Sequence, residues 1–223
     1  MITVHHLEHS RSHRILWLLE ELGVDYEIEK YARDPQTNLA PPSLRAVFPL
    51  GKSPVVTDGE LTFAESGAIV EYLIDTYGEG RFSFSKGSPE YHRSRYWLHA
   101  AEGSVMSLLL LKLVFTRTTR APVPFFLRPI TKAVAKKVFK GYVDPGIQGH
   151  TELILSELER SAFIAGDELC GADFLMIYAA EALVARGTFD GDISKLKAYV
   201  ERIHARPAYA RALERGGPCE IPG

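Results

Sequence analysis

Two cysteines, Cys170 and Cys219, are all that 223 residues contain. They are too few for a disulfide framework and lack the spacing of a thiolate metal site, so a reducing compartment is expected. A surplus of either charge is missing as well. The chain sets 26 Lys and Arg against 28 Asp and Glu, a formal −2, which gives no global attraction to nucleic acid or to an acidic membrane. The opening residues, MITVHHLEHSRSH, lack a basic segment followed by an apolar one, so no cleaved secretion signal is expected. Long hydrophobic runs are absent too. The longest, VMSLLLLKLVF, is interrupted by Lys112 and falls well short of the roughly 20 apolar residues of a membrane span. It reads as core helix, and the protein is expected in the cytoplasm with no transmembrane segment.

What is present has a clear order. The 46% hydrophobic content is ample for one large domain or two modest ones. ITVHHL (2–7) reads as a strand, RSHRILWLLEELG (11–23) as an amphipathic helix stopped by Gly23, and YEIEKY (26–31) as a second strand. A proline-rich loop leads to a short helix, SLRAVF. PVVTDGELTFAE (54–65) then carries Asp58-Gly59 between apolar runs, the mark of a β-hairpin. SGAIVEYLIDTYG (66–78) closes the unit as a helix. After the Gly- and Ser-rich stretch 78–90 the strand signals cease. Helices are predicted over 91–119, about 125–142, 145–163, 173–187 and 193–205, with Pro207 and the final GGP ending the ordered part. The expected fold is a small α/β sandwich joined to a larger all-helical domain.

Three junctions carry chemistry. FPLGKSPVV (48–56) imitates a phosphate loop, but the position of that motif's first glycine holds Ala46, and the segment feeds a strand rather than a helix. Its informative feature is Ser53-Pro54 at the entry to a strand, where a cis bond would turn the chain and free the Ser53 backbone. Glu65-Ser66-Gly67 stands between strand and helix. Either Ser66 caps its helix, or Ser66 and nearby N–H groups meet a carboxylate while Glu65 meets an ammonium, together an amino-acid head group. In HSRSHR (9–14), Ser10 lies near a helix N-terminus, where a hydroxyl either caps the helix or donates to a thiolate. His5, His6, His9 and His13 do not form a metal set: His5 and His6 point to opposite faces of a strand, and no cysteine or carboxylate cluster completes them.

Taken in order, HSRSHRILWLLEELGVDYE, FPLGKSPVV, ESGAIVEYL, RYWLHAAEGS (95–104) and GDELCGADFLMIYAA (166–180) resemble the glutathione transferase family over essentially the whole chain. The similarity is closest to its serine-type fungal and bacterial branch. The resemblance implies a thioredoxin-like glutathione-binding domain over 1–80, a linker over 81–88, and an all-helical domain over 89–223 that supplies the electrophile pocket. It implies Ser10 as the catalytic group that stabilises the glutathione thiolate, with Ser12, His9 or a backbone amide as the alternatives. Lys52 would pair with the glycine carboxylate of glutathione. Ser53, before Pro54, would hold the cysteinyl part, and Glu65 with Ser66 the γ-glutamyl head. Glutathione is then the co-substrate, no metal is involved, and the partners are a small hydrophobic electrophile and a second copy in a homodimer. Conjugation or reduction of organic hydroperoxides would follow. The alternatives are a non-catalytic glutathione- or ligand-binding protein of the same fold, or a protein-interaction module with no glutathione affinity.

Two departures and one oddity stand beside the resemblance. Cys170, three before Asp173, replaces the Ser or Thr that usually opens the capping box there, which leaves Asp173 to cap a weakened helix start alone. Cys170 reads as a buried structural residue, with mild activation near a helix N-terminus as the other reading. No cysteine occurs in 9–14, which disfavours the thiol–disulfide chemistry of cysteine-dependent relatives. Finally, Gly103 to Val143 contains no acid but eight bases: Lys112, Arg117, Arg120, Arg128, Lys132, Lys136, Lys137 and Lys140. The readings are a solvated face with acidic neighbours, an anionic electrophile site, or a membrane-surface contact by FFLRPITKAVAKKVF.

Overall fold

A computed structural model describes residues 1–120, 122–186 and 189–218, so Cys219 lies outside the described residues. The first strand, β1 (Ile2–Leu7), is followed by helix α1 (His13–Leu22), strand β2 (Tyr26–Tyr31), the short helix α2 (Pro42–Val47), strands β3 (Val55–Asp58) and β4 (Leu61–Ala64), and helix α3 (Ser66–Tyr77). The sheet order is β2-β1-β3-β4. β1 pairs parallel with β2 and antiparallel with β3, placing Val4 opposite both Ile28 and Val56. Period-2 alternation sends Ile2 and Val4 into the main core and Leu7 to the other face, against Leu44 of α2 and Tyr31. His6 and His5 obey the same alternation. His6 reaches Ser12 on one face, and His5 reaches Tyr31 and Thr57 on the other.

The hairpin turn sits one residue later than expected. Gly59-Glu60 makes the turn, with Gly59 at φ +59°, while Asp58 stays in the ladder opposite Leu61. There its carboxylate accepts hydroxyls from Tyr72 and Tyr77 of α3, and this acceptor, with burial adding to it, raises the Tyr77 hydroxyl to about 12.

From Pro89 onward every regular element among the described residues is helical: α4 (Pro89–Ala100), α5 (Ser107–Thr118), α6 (Arg128–Val138), α7 (Asp144–Arg160), α8 (Gly171–Arg186), α9 (Ser194–His204) and α10 (Pro207–Gly216). The architecture is a thioredoxin-like sandwich followed by an all-helical unit. Two expectations need correcting. Asp144-Pro145 does not separate two helices, because a π turn, Phe139–Val143, carries α6 into α7 and absorbs the proline near the start of the new segment. Pro207 does not end the ordered part either. It occupies the first turn of α10, where its missing N–H would have had no helical partner, and α10 then packs along α1.

A second π turn, Ala101–Met106, joins α4 to α5, so the eleven-residue greasy run belongs to one continuous helix. By length and composition alone, Pro89–Arg117 would suffice to cross a bilayer. In the fold, α8 packs along α4 and α6 along α5. Close packing at the start of α8 depends on Gly171, where an added Cβ would lie 3.0 Å from Ile74 Cδ1.

Asp173 caps that helix without a Ser or Thr at position 170. Its carboxylate accepts the N–H groups of Cys170 at 2.9 Å and Ile164 at 3.0 Å and the Tyr199 hydroxyl at 2.9 Å. Cys170 is 1% exposed, and burial together with the Asp173 charge pushes its thiol well up. Of the two readings of this cysteine, burial and the raised thiol support the inert structural one.

Candidate active site

The three junctions meet where β1, β3 and α3 face the π turn Ala101–Met106. Two cavities lie there. One, of about 430 Å³, is lined by Ser10, Lys52 and Ser53 together with the apolar side chains of Met106, Leu110 and Leu113. The other, of about 320 Å³, is lined by Pro54, Glu65 and Ser66 and again by Lys52 and Ser53. All six residues singled out in the sequence therefore border one divided space, with Lys52 and Ser53 on both parts. Lys52 is exposed, and among the described residues it has no carboxylate partner.

Backbone conformation at this space is unusual in three places. His9 (φ +49°), Gly51 (φ +56°) and Glu65 (φ +75°) all lie in the left-handed region, which costs a non-glycine residue about 1–3 kcal/mol. Two of the three carry side chains, and such strain persists only where the surroundings hold it. The Ser53-Pro54 bond is cis. The Ser53 hydroxyl donates to the His5 carbonyl at 3.0 Å and accepts the Leu7 N–H at 3.3 Å, which ties the loop to the end of β1.

Ser10 is 7% exposed and does not cap α1 in the ordinary sense. The N-cap is Ser12, whose side chain makes no cap bond. Instead a chain of hydroxyls runs from His6 Nδ1 to Ser12 Oγ (2.8 Å), on to Ser10 Oγ (2.7 Å), and from Ser10 to Ser53 Oγ (3.3 Å). The Ser12 N–H also donates to Ser10 Oγ at 3.3 Å. Burial lowers the affinity of His6 for a second proton, and Lys30 adds to this, so at neutral pH the ring is an uncharged member of the chain. Either hydroxyl of the Ser10–Ser12 pair can donate, and Ser10 also donates to Ser53 Oγ, so an acceptor placed at this wall would compete with Ser53 for the Ser10 proton.

Ser66 departs from the cap reading in the same way. It is the first residue of α3, and its hydroxyl accepts from Arg14 Nη2 at 3.1 Å. Arg14 is 2% exposed; it also donates to the Leu175 carbonyl at 2.8 Å and to Glu102 Oε1 at 2.5 Å. The other Glu102 oxygen takes Arg11 Nη1 at 2.5 Å. One carboxylate thus clamps two guanidinium groups of the α1 region, and the π turn that contains Glu102 aims it there. A buried guanidinium requires such partners, since an unpaired charge in the interior is very costly.

Sequence reasoning did not find this clamp. The available signal was Arg14 itself, a cation in the first turn of a greasy helix, where the dipole opposes it and only a buried anion explains it. His9 and His13 do not converge: His9 lines the larger cavity, while His13 packs edge-on against Tyr209 at 5.3 Å.

Comparison with known proteins places these features in a family context. The family model described as Glutathione S-transferase, N-terminal domain, matches residues 1–75. Glutathione S-transferase 3 of Schizosaccharomyces pombe is 31% identical over 215 residues, which cover 96% of this chain and 88% of that protein. Among solved structures, a glutathione S-transferase from Actinobacillus pleuropneumoniae is 33% identical and superposes with a TM-score of 0.77, covering 97% of this chain and 93% of its own. A theta-class glutathione S-transferase from Xanthomonas axonopodis pv. citri, solved with glutathione bound, has a TM-score of 0.66 at 20% identity, over 95% of this chain and 96% of its own. At that identity the likeness is one of fold.

Proposed function

Because this chain belongs to the glutathione transferase family, we propose that it is a cytoplasmic enzyme that takes glutathione as co-substrate, stabilises its thiolate and delivers the sulfur to a hydrophobic electrophile or an organic hydroperoxide. Residues 1–80 hold glutathione, 81–88 link, and 89–223 supply the electrophile pocket in each copy of a homodimer. Lys52 meets the glycine carboxylate. The Ser53 backbone before Pro54 aligns the cysteinyl residue. Glu65 takes the γ-glutamyl ammonium and Ser66 its carboxylate, and Arg14 supports that role because the Ser66 oxygen that accepts from it has a proton left to give.

The observation that carries the reading is the hydroxyl chain of His6, Ser12, Ser10 and Ser53, which holds the Ser10 hydroxyl at the wall it shares with Met106, Leu110 and Leu113. A free thiol has a pKa of ~8.5, and moving it two units down requires about 2.7 kcal/mol of preference for the thiolate. A hydrogen bond to a charged sulfur contributes about 1.5–3 kcal/mol and the start of α1 about 0.3–1 kcal/mol, so the two suffice. The anionic sulfur is then the nucleophile, and the apolar side chains opposite exclude water from it.

Spectroscopic titration of glutathione bound to the protein tests this. The bound thiol is expected to titrate about two units below the free one, and Ser10→Ala to lose roughly 10- to 100-fold in kcat/KM with little change in glutathione affinity. An unshifted thiol with intact affinity would leave a binding protein of the same fold. No affinity for glutathione would leave an interaction module.

A further inference from the structure

Helix α6 adds one buried side chain to the core, Ala135. Its open side is apolar: Leu127, Ile130 and Val134 follow the helical period and are 41%, 63% and 50% exposed. In the loop just before them Phe125 and Phe126 stand 79% and 64% exposed. Single exposed apolar residues are ordinary, but five within ten residues form a contiguous patch of the kind that marks a contact surface.

Lys132, Lys136 and Lys137 of the same helix, and Lys140 just after it, are all exposed. A solvated face with acidic neighbours does not describe them. Of the eight bases between Gly103 and Val143, among the described residues only Lys112 meets a carboxylate, Asp144 at 2.8 Å. The segment carries +8 and the chain as a whole −2, so the remainder carries −10. Positive charge is thus concentrated in this one segment of the chain.

We propose that this face docks on an anionic lipid bilayer. Phe125, Phe126, Ile130 and Val134 would enter the headgroup boundary, and Lys132, Lys136, Lys137 and Lys140 would hold lipid phosphates and carboxylates. Bases alone would serve a nucleic acid, but the apolar stripe needs an apolar phase, and the combination is that of an interfacial amphipathic helix. The acidic remainder is repelled from the same surface, so the orientation is set as well as the attachment. None of this depends on the glutathione chemistry.

Co-sedimentation of the full chain with vesicles is the test, using phosphatidylcholine alone and phosphatidylcholine mixed with phosphatidylserine. Binding is expected only with phosphatidylserine and is expected to weaken as salt shortens the screening length. Each base near an anionic surface is worth about fivefold, so the combined Lys132→Gln, Lys136→Gln, Lys137→Gln and Lys140→Gln variant should lose roughly several-hundred-fold in partitioning. Phe125→Ser with Phe126→Ser, both exposed, should lose at least roughly tenfold. Equal partitioning into both vesicle types, or none at low salt, overturns the proposal. So does a change of oligomeric state in either variant, which would assign the face to a second copy, or salt-dependent nucleic-acid binding that the phenylalanine pair does not affect.

Discussion

Helices α1 and α6 are 10 and 11 residues long, yet eight residues of α1 are buried against one of α6. Both carry cations. On α1 the charge of Arg14 lies in the interior, so the fold surrounds it with Glu102, Ser66 and the Leu175 carbonyl. On α6 three lysines face solvent and need no partner. The difference teaches that the cost of a charge is set by what covers the helix, and that buried charges therefore acquire the long-range partners from which sites are built.

The largest blow to that contrast is expected from Arg14→Met. It removes a guanidinium whose loss leaves Ser66, a carbonyl and one Glu102 oxygen without their donor. Glu102 is a quarter exposed and keeps Arg11, so the cost falls at the low end for a broken buried pair, about 3 kcal/mol, or roughly 6–12 °C in Tm. Calorimetry reads this. An unchanged Tm would mean that the clamp serves the site alone.

Next comes pH. Burial holds His13 at about 4, against 6.5 when unfolded, despite an opposing pull from Glu181. A histidine with a depressed pKa costs nothing above 6.5. As pH falls from 6.5 towards 4 the unfolded chain gains the proton first, and stability drops by about 2 kcal/mol at pH 5 from this residue. The shifts of His5 and His6 have the same sign. Denaturant unfolding of His13→Phe should show a shallower decline over that window, and parallel curves would assign the acid sensitivity elsewhere. The smallest effect belongs to α6: Lys136→Gln should change stability by under about 0.5 kcal/mol. A larger loss would mean that α6 is covered after all.

The comparison also explains what could be read in advance. β1 and β2 were legible to the residue because their alternation is local. The hairpin turn slipped by one because Asp58 is drawn into the strand by tyrosines of α3, well beyond any local window. Helix α10 was missed because a proline ends one helix and begins another with the same letter. Ser10, Lys52, Ser53, Pro54, Glu65 and Ser66 were found as types at strand–helix junctions and through a resemblance. Their grouping around one divided cavity, and the clamp behind it, were not.

Local periodicity, turn chemistry and charge spacing were enough for the order of elements as far as α9, the two-part architecture and the acid-free basic segment, since each depends on neighbours within a few positions. The isomer of Ser53-Pro54, the hydroxyl chain through Ser10 and the union of Arg14 with Glu102 came only with the folded chain. Arg14 and Glu102 stand 88 residues apart, and no local pattern encodes an energy that exists only once water has been excluded from both.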